Sequence, residues 1–313
     1  MAERYRGRLA PSPTGRLHFG VARTSLLAWL RARQAGGQLI LRMEDLDEPR
    51  TQAGAAQAII DDLGWLGLDW DEGPDRGGEC GPYLQSERKQ LYGRALEALR
   101  RQGMVFECSC SRREVAAAAS APHGEHGPRY PGTCRARPAV QSRPRSMRFA
   151  MPEPGEPFDD LLHGPQAVSE SDDFIVQRAD GIYAYQLAVV VDDIAMGVTE
   201  VVRGDDLLSS TPRQLALYRA LGAEPPRFLH VPLVMGPDGK RLSKRHGPVA
   251  IADYRIAGLS SEQVLGALAS SLGLCEPGAR VRAEMLIERL ELSALSKAPS
   301  TLDGPLGELH REP

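Results

Sequence analysis

Arg8-Leu9-Ala10-Pro11-Ser12-Pro13-Thr14-Gly15-Arg16-Leu17-His18-Phe19-Gly20 is the stretch around which the chain is organised. A short strand over residues 5–10 leads into it, and an amphipathic helix over residues 21–33 follows. Pro11 and Pro13 bar helix before the turn, while Gly15 and Gly20 let backbone come close to a ligand. Strand, tight turn and helix in that order bring free N–H groups and the positive helix end to one place, which suits an anion. The glycine spacing is neither GxGxxG nor GxxxxGK[ST], so the two common nucleotide fingerprints are excluded.

Outward from this turn, Val21, Leu26, Leu27 and Leu30 form a core stripe on the helix, and Gly36-Gly37 end it. Residues 38–43 are nearly all apolar, as expected of a strand buried on both faces. The three elements make one right-handed βαβ unit. Glu44-Asp45-Leu46-Asp47 follows at the carboxyl end of the second strand, the edge where open α/β sheets hold ligands. That position marks Glu44 for function and leaves Asp45 and Asp47 as loop structure.

A helix over 52–66, a Gly- and Asp-rich loop over 67–82 and a helix capped by Ser86 come next. Residues 173–178 and 182–191 read as strands joined by a hairpin turn at Asp180-Gly181. A strand over 199–206, a helix opened by Thr211-Pro212 and a buried strand over 228–235 form a second βαβ half. Short helices are expected over 260–272 and 282–292, with a loose tail over 297–313. The fold class is therefore α/β, a Rossmann-like catalytic domain with an insertion and a short helical C-terminal part. Its first half is expected over 1–85, the insertion over 86–180, the second half over 181–254 and the helical part over 255–313.

The 313 residues carry a net charge of −3, which argues against a generally basic coat for nucleic acid. RNA contact would have to use local patches such as Arg112, Arg113, Arg135, Arg137, Arg143 and Arg145. Residues 1–5 carry no apolar signal core, and no run approaches a membrane span, so no membrane role is expected. Five cysteines, two of them in Cys108-Ser109-Cys110, fit a reducing, cytoplasmic setting better than a disulfide framework. The irregular segment 111–146 needs a staple. Cys108, Cys110 and Cys134 offer three thiolates for one tetrahedral, structural zinc in a module over 107–146; by residue chemistry alone the fourth ligand is His123 or His126. The plain alternative is three reduced thiols without a metal.

Gly236-Pro237-Asp238-Gly239-Lys240-Arg241-Leu242-Ser243-Lys244-Arg245-His246-Gly247 places four Lys or Arg cations and a hydroxyl in a glycine-bounded loop. Such a loop can clamp a triphosphate and stabilise charge that builds on phosphorus. A solvated basic loop is the plain alternative.

Pro11-Ser12-Pro13-Thr14-Gly15-x-Leu17-His18-x-Gly20 resembles the HIGH signature of class I aminoacyl-tRNA synthetases in its glutamyl/glutaminyl form, with Val21 in place of the final His. Arg241-Leu242-Ser243-Lys244-Arg245 resembles the KMSKS loop of the same class. Arg8-x-Ala10-Pro11-Ser12, Leu41-Arg42-x-Glu44-Asp45-x-Asp47, Tyr185 and Arg203-Gly204-Asp205-Asp206 resemble the glutamate-binding motifs of the glutamyl enzymes. The resemblance implies that ATP, with Mg²⁺, meets His18, Gly20, Arg241, Ser243 and Lys244, with His18 and Lys244 catalytic. It implies that L-glutamate meets Arg8, Ala10, Ser12, Glu44, Tyr185 and Arg203, and it leaves open which arginine takes which carboxylate.

The chain stops soon after the KMSKS-like loop, so no anticodon-binding region is expected. A catalytic half that keeps Cys-x-Cys, Tyr and Cys is similar to the glutamyl-Q tRNA(Asp) synthetase family. That family's zinc ligands fall here on Cys108, Cys110, Tyr130 and Cys134, which moves the fourth ligand from histidine to Tyr130. The resemblance implies a monomer that activates glutamate without tRNA. It also implies transfer of the glutamyl group to the cyclopentenediol of queuosine in the anticodon of tRNA(Asp). The rivals are a short glutamyl-tRNA synthetase charging tRNA(Glu), a non-catalytic tRNA-binding paralogue and, more remotely, a small-molecule adenylating enzyme.

Overall fold

In the computed structural model, residues 4–118, 130–167, 172–242 and 250–301 are described. Strand β1 (Arg6–Leu9) runs into α1 (Phe19–Gln34), which returns to β2 (Gln38–Leu41). The two strands pair in parallel, Arg8 opposite Ile40. The return is tight: a Cβ at Gly37 would lie 2.5 Å from the Tyr5 carbonyl oxygen, so only glycine fits. Helix α2 (Ala55–Trp65) lies within the interval expected to be helical.

Residues 85–88 form a 3₁₀ turn, and α3 (Lys89–Arg101) begins after it. Ser86 is thus not the cap of that helix. Its N–H and hydroxyl instead donate to Asp45 at 2.8 and 2.6 Å, which makes Asp45 the fixed end of the loop after β2.

The insertion continues through β3 (Val105–Cys108), α4 (Arg112–Ala118), α5 (Thr133–Ala136) and β4 (Ser146–Phe149). A hairpin of β5 (Phe158–Asp160) and β6 (Gly164–Gln166) precedes β7 (Phe174–Gln177). Strands β3, β4 and β7 form an antiparallel sheet in that order. Residues 182–191, expected to be a strand, are mostly helix: α6 spans Tyr185–Ala195. Leu187 to Val191 are all buried, and so are Asp192 and Asp193. A helix covered on nearly every side shows no polar stripe, and its valines imitate a strand.

The second half runs through β8 (Glu200–Gly204), α7 (Thr211–Ala220) and β9 (Arg227–Val231). Strands β8 and β9 are parallel, and β5 adds to β9 from the other side. The expected strand over 228–235 breaks at Pro232, which lacks the N–H a ladder needs, and resumes as β10 (Val234–Met235). The two halves meet at β1 and the start of β8. There the Arg6 and Thr199 N–H groups donate to Thr199 Oγ1 and the Arg6 carbonyl, both at 2.9 Å. Buried Glu200 accepts both ends of the Arg31 fork at 2.8 Å beside this seam.

Helix α8 (Ile251–Ile256), not anticipated, precedes α9 (Ser261–Ser271), which Ser260 caps as its sequence suggests. The expected helix over 282–292 is reduced to one short 3₁₀ turn, Ala283–Leu286, and a second, Leu292–Ala294, starts at its end. The start of the supposedly loose tail forms β11 (Ser300–Thr301), paired with β10; residues 302–313 lie outside the described residues. Among the described residues no helix is long and apolar enough to cross a membrane.

Candidate active site

The carboxyl ends of β1, β2 and β8 and the start of α1 surround a cavity of about 720 Å³. Arg8, Ala10, Ser12, His18, Gly20, Glu44, Tyr185, Arg203 and Arg241 all line it. These residues come from both βαβ halves and span more than 230 positions of sequence, so the fold gathers them.

His18 caps the N-terminus of α1 in extended conformation, its carbonyl accepting the first helical hydrogen bond from Ala22 at 2.9 Å. Gly20 faces the cavity, and a Cβ there would meet no protein atom within 4 Å. Ser243 and Lys244 lie outside the described residues, but the chain on both sides is anchored at this site. Leu242 lines the cavity and donates to the Val234 carbonyl at 2.9 Å; Arg241 lines it too and holds Asp206 at 2.8 Å. On the return, Ala250 makes an antiparallel bridge with His18, and the Ile251 N–H donates to the Leu17 carbonyl at 2.8 Å.

The other wall of the cavity carries buried charge. Arg8 is buried, with Nη1 on the Val202 carbonyl at 2.9 Å, Asp193 at 3.9 Å, and Nε unbonded among the described residues. Arg203 is buried as well, with Nε, Nη1 and Nη2 donating to His230, Gln214 and Thr211 at 3.0, 2.7 and 2.8 Å. Burial pulls the Arg203 guanidinium below its ordinary range, with Tyr185 opposing and Arg8 adding to the effect. Burial pushes the Glu44 carboxyl above its ordinary range, against the pull of Arg42 and Arg8. Tyr185 opens α6, and burial raises its phenol while Arg203 draws it down.

A buried network beneath Glu44 was not anticipated. Arg42, fully buried, reaches Glu44 at 3.1, Asp193 at 2.7 and Asp192 at 3.7 Å. Asp192 also takes Arg88 at 2.6 and Gln85 at 2.7 Å, which ties α6 to the start of the insertion. The signal was present: Arg42 interrupts an apolar strand, and Asp192-Asp193 interrupts an apolar run. Charges inside such runs need partners.

In the insertion, the sulfurs of Cys108, Cys110 and Cys134 lie within 4.8 Å of one another. Cys110 and Cys134 Sγ are 3.5 Å apart, and the Tyr130 hydroxyl is 3.5 Å from Cys108 Sγ. Ligands of one tetrahedral zinc, with bonds of about 2.3 Å to sulfur and 2.0 Å to oxygen, stand roughly 3.5–3.8 Å apart. The two 3.5 Å separations match that spacing, and the three sulfurs stay within 4.8 Å of one another. Arg148 lies over the Tyr130 ring at 3.8 Å, a cation–π contact that fixes the ring beside the sulfurs. His123 and His126 lie outside the described residues. Among the arginines proposed as a basic surface, Arg135, Arg143 and Arg145 are engaged by Asp173, Glu114 and Glu107, while Arg112, Arg113 and Arg137 are exposed.

The family described as "tRNA synthetases class I (E and Q), catalytic domain" matches residues 4–303. The chain belongs to that family. A class I synthetase relative named glutamyl-Q tRNA(Asp) synthetase, from Symbiobacterium thermophilum, is 54% identical over 304 residues, with 94% of each chain covered. A second of the same name, from Nitratidesulfovibrio vulgaris, is 55% identical, with 86% of each chain covered. A glutamate–tRNA ligase from Anaeromyxobacter is 45% identical over 84% of this chain and 57% of its own. Among solved synthetase structures, a glutamate–tRNA synthetase from Elizabethkingia anophelis superposes with a TM-score of 0.83 at 29% identity. That match covers 96% of this chain and 68% of the other.

Proposed function

We propose that this chain activates L-glutamate with ATP and transfers the glutamyl group to queuosine in the anticodon of tRNA(Asp). The observation that carries the activation step is the single cavity that holds the His18 turn, two buried arginines and Glu44. Both anchored ends of the Lys244 segment reach the same place. Glutamate brings two carboxylates and one ammonium. Arg8 and Arg203 answer the carboxylates, and Glu44 answers the ammonium.

ATP, as its Mg²⁺ complex, lies with adenosine against His18 and Gly20 and with phosphates toward Arg241, Ser243 and Lys244. An oxygen of the glutamate α-carboxylate attacks the α-phosphorus in line and pyrophosphate leaves. A hydroxyl of the cyclopentenediol then attacks the acyl carbon, and AMP leaves. The protein's part is orientation and charge stabilisation, without a covalent protein intermediate.

The names of the relatives covered nearly end to end support the queuosine acceptor. In the same reading Cys108, Cys110, Tyr130 and Cys134 hold one structural zinc that staples the insertion, and the protein works in the cytoplasm. The similarity to glutamate–tRNA ligases favours one rival, a short enzyme charging tRNA(Glu).

Glutamate-dependent ATP–pyrophosphate exchange without any tRNA tests the activation step. Exchange under those conditions is the expected result. Exchange that requires tRNA(Glu) would overturn the glutamyl-Q reading in favour of the rival, and no exchange with any tRNA would overturn catalysis itself.

A further inference from the structure

Behind the cavity lies a line of polar groups that the proposed chemistry does not touch. Asp160 ends β5 and His230 sits on β9, 3% and 0% exposed, and neither lines the cavity. The parallel register sets His230 opposite Arg203 of β8 and Phe228 opposite Asp160 of β5. Side chains from three adjacent strands therefore meet on one face of the sheet. His230 Nδ1 is 2.7 Å from Asp160 Oδ2, and its Nε2 is 3.0 Å from Arg203 Nε and 3.2 Å from Thr211 Oγ1.

The tautomer follows from the donor inventory. Arg203 Nε–H can only donate, so His230 Nε2 must present a lone pair and the ring proton must sit on Nδ1, pointing at Asp160. Asp160 is itself locked: Oδ1 accepts the N–H groups of Leu162 and His163 at 3.0 and 2.9 Å, and Oδ2 also accepts the His230 N–H at 3.1 Å. Burial, with Arg203 adding to it and Asp160 opposing, pushes the imidazole down to about 4. The ring thus stays neutral and in one tautomer at neutral pH. Gln214 and Thr211 fix the two Nη atoms of Arg203, and Phe228 lies under its guanidinium at 5.1 Å. An arginine reaching into a cavity ordinarily loses rotamer freedom when it binds, and holding the fork beforehand removes that cost.

We infer that Asp160 and His230 form a positioning pair that fixes the Arg203 guanidinium in the orientation that receives a carboxylate of glutamate. This rests on the reading of Arg203 as a glutamate residue. His230 is here a positioning residue, acting through Arg203.

Two substitutions separate the two ring nitrogens. His230→Asn keeps a donor where Nδ1 meets Asp160 and removes the acceptor for Arg203. His230→Gln keeps an acceptor near the Nε2 position and leaves Asp160 with its three backbone N–H donors. Each purified variant, with Arg203→Gln beside it, is assayed for the KM of glutamate and of ATP in pyrophosphate exchange, and its thermal midpoint confirms folding. His230→Asn is expected to raise the glutamate KM about tenfold or more, as loss of an orienting partner does elsewhere, with the ATP KM within twofold of the parent. His230→Gln is expected to stay near the parent. Equal losses in both His230 variants, a parallel rise in the ATP KM, or an unchanged glutamate KM in His230→Asn would overturn the inference while the pocket reading stands, provided Arg203→Gln raises the glutamate KM. An Arg203→Gln variant with unchanged glutamate KM would overturn the pocket reading and this inference with it.

Discussion

Replacing Glu44 by glutamine probes the cavity with little disturbance of the fold. The Glu44 oxygen that accepts from Arg42 at 3.1 Å has a counterpart in the glutamine amide oxygen. Arg42 also keeps Asp193 at 2.7 Å and Asp192 at 3.7 Å, so its buried charge stays compensated. Burial already drives the Glu44 carboxyl upward, so removing its charge relieves desolvation, and stability should change by no more than about 1 kcal/mol.

The substrate ammonium, by contrast, loses its charged partner beside buried charges, a loss of about 2–5 kcal/mol. At about 1.4 kcal/mol per tenfold, the glutamate KM should rise roughly thirtyfold to several thousandfold, with the ATP KM little changed. The sign of the pH effect follows from the raised carboxyl. Only ionised Glu44 pairs with an ammonium, so kcat/KM for glutamate in the parent should fall as pH drops through a value above the usual carboxylate range. Pyrophosphate exchange at saturating ATP, with calorimetry on the same samples, reads both quantities. A glutamate KM within threefold of the parent in a stably folded Glu44→Gln protein would refute the ammonium role.

Gly20→Ala adds a methyl that meets no protein atom, so the helix should gain about 0.5–1 kcal/mol in unfolding measurements while the ATP KM rises about tenfold; an unchanged ATP KM would remove adenosine from that wall. Asp62, buried in α2, has its carboxyl raised by burial to about 6, so its stabilising contribution is present below pH 4 and lost as pH climbs through about 6. Urea unfolding of parent and Asp62→Asn across pH 4 to 7 should show the parent losing up to about 3 kcal/mol relative to the variant, and parallel curves would contradict the assignment. Metal analysis of the purified chain should find one zinc, reduced in Cys110→Ser together with the thermal midpoint, and a Cys110→Ser protein as stable as the parent would argue against a metal staple.

What the sequence made legible was local. The first strand, its proline-broken turn and the helix behind it are set by apolar period and by residues with few backbone options. Glu44 could be placed because the end of a buried strand is visible as a change in hydrophobicity. Helix α6 was not legible, since burial on nearly all sides erased the stripe that marks a helix. Tyr185 was singled out by a family motif, while its place at the head of a helix came only from the fold. Arg42 and Asp192-Asp193 stand out in the sequence as charges inside apolar runs, but their pairing with one another was illegible because the partners come from distant segments. Tyr130 was singled out by family resemblance, while its place beside the cysteine sulfurs and under Arg148 came only from the fold. The pairing of Arg135, Arg143 and Arg145 with Asp173, Glu114 and Glu107 was illegible because it cannot be read from spacing.

The acceptor is tested most directly by offering labelled glutamate and ATP to tRNA(Asp) carrying queuosine, to unmodified tRNA(Asp) and to tRNA(Glu) in parallel. Label on queuosine-containing tRNA(Asp) alone is the predicted result; label on tRNA(Glu) alone would contradict it.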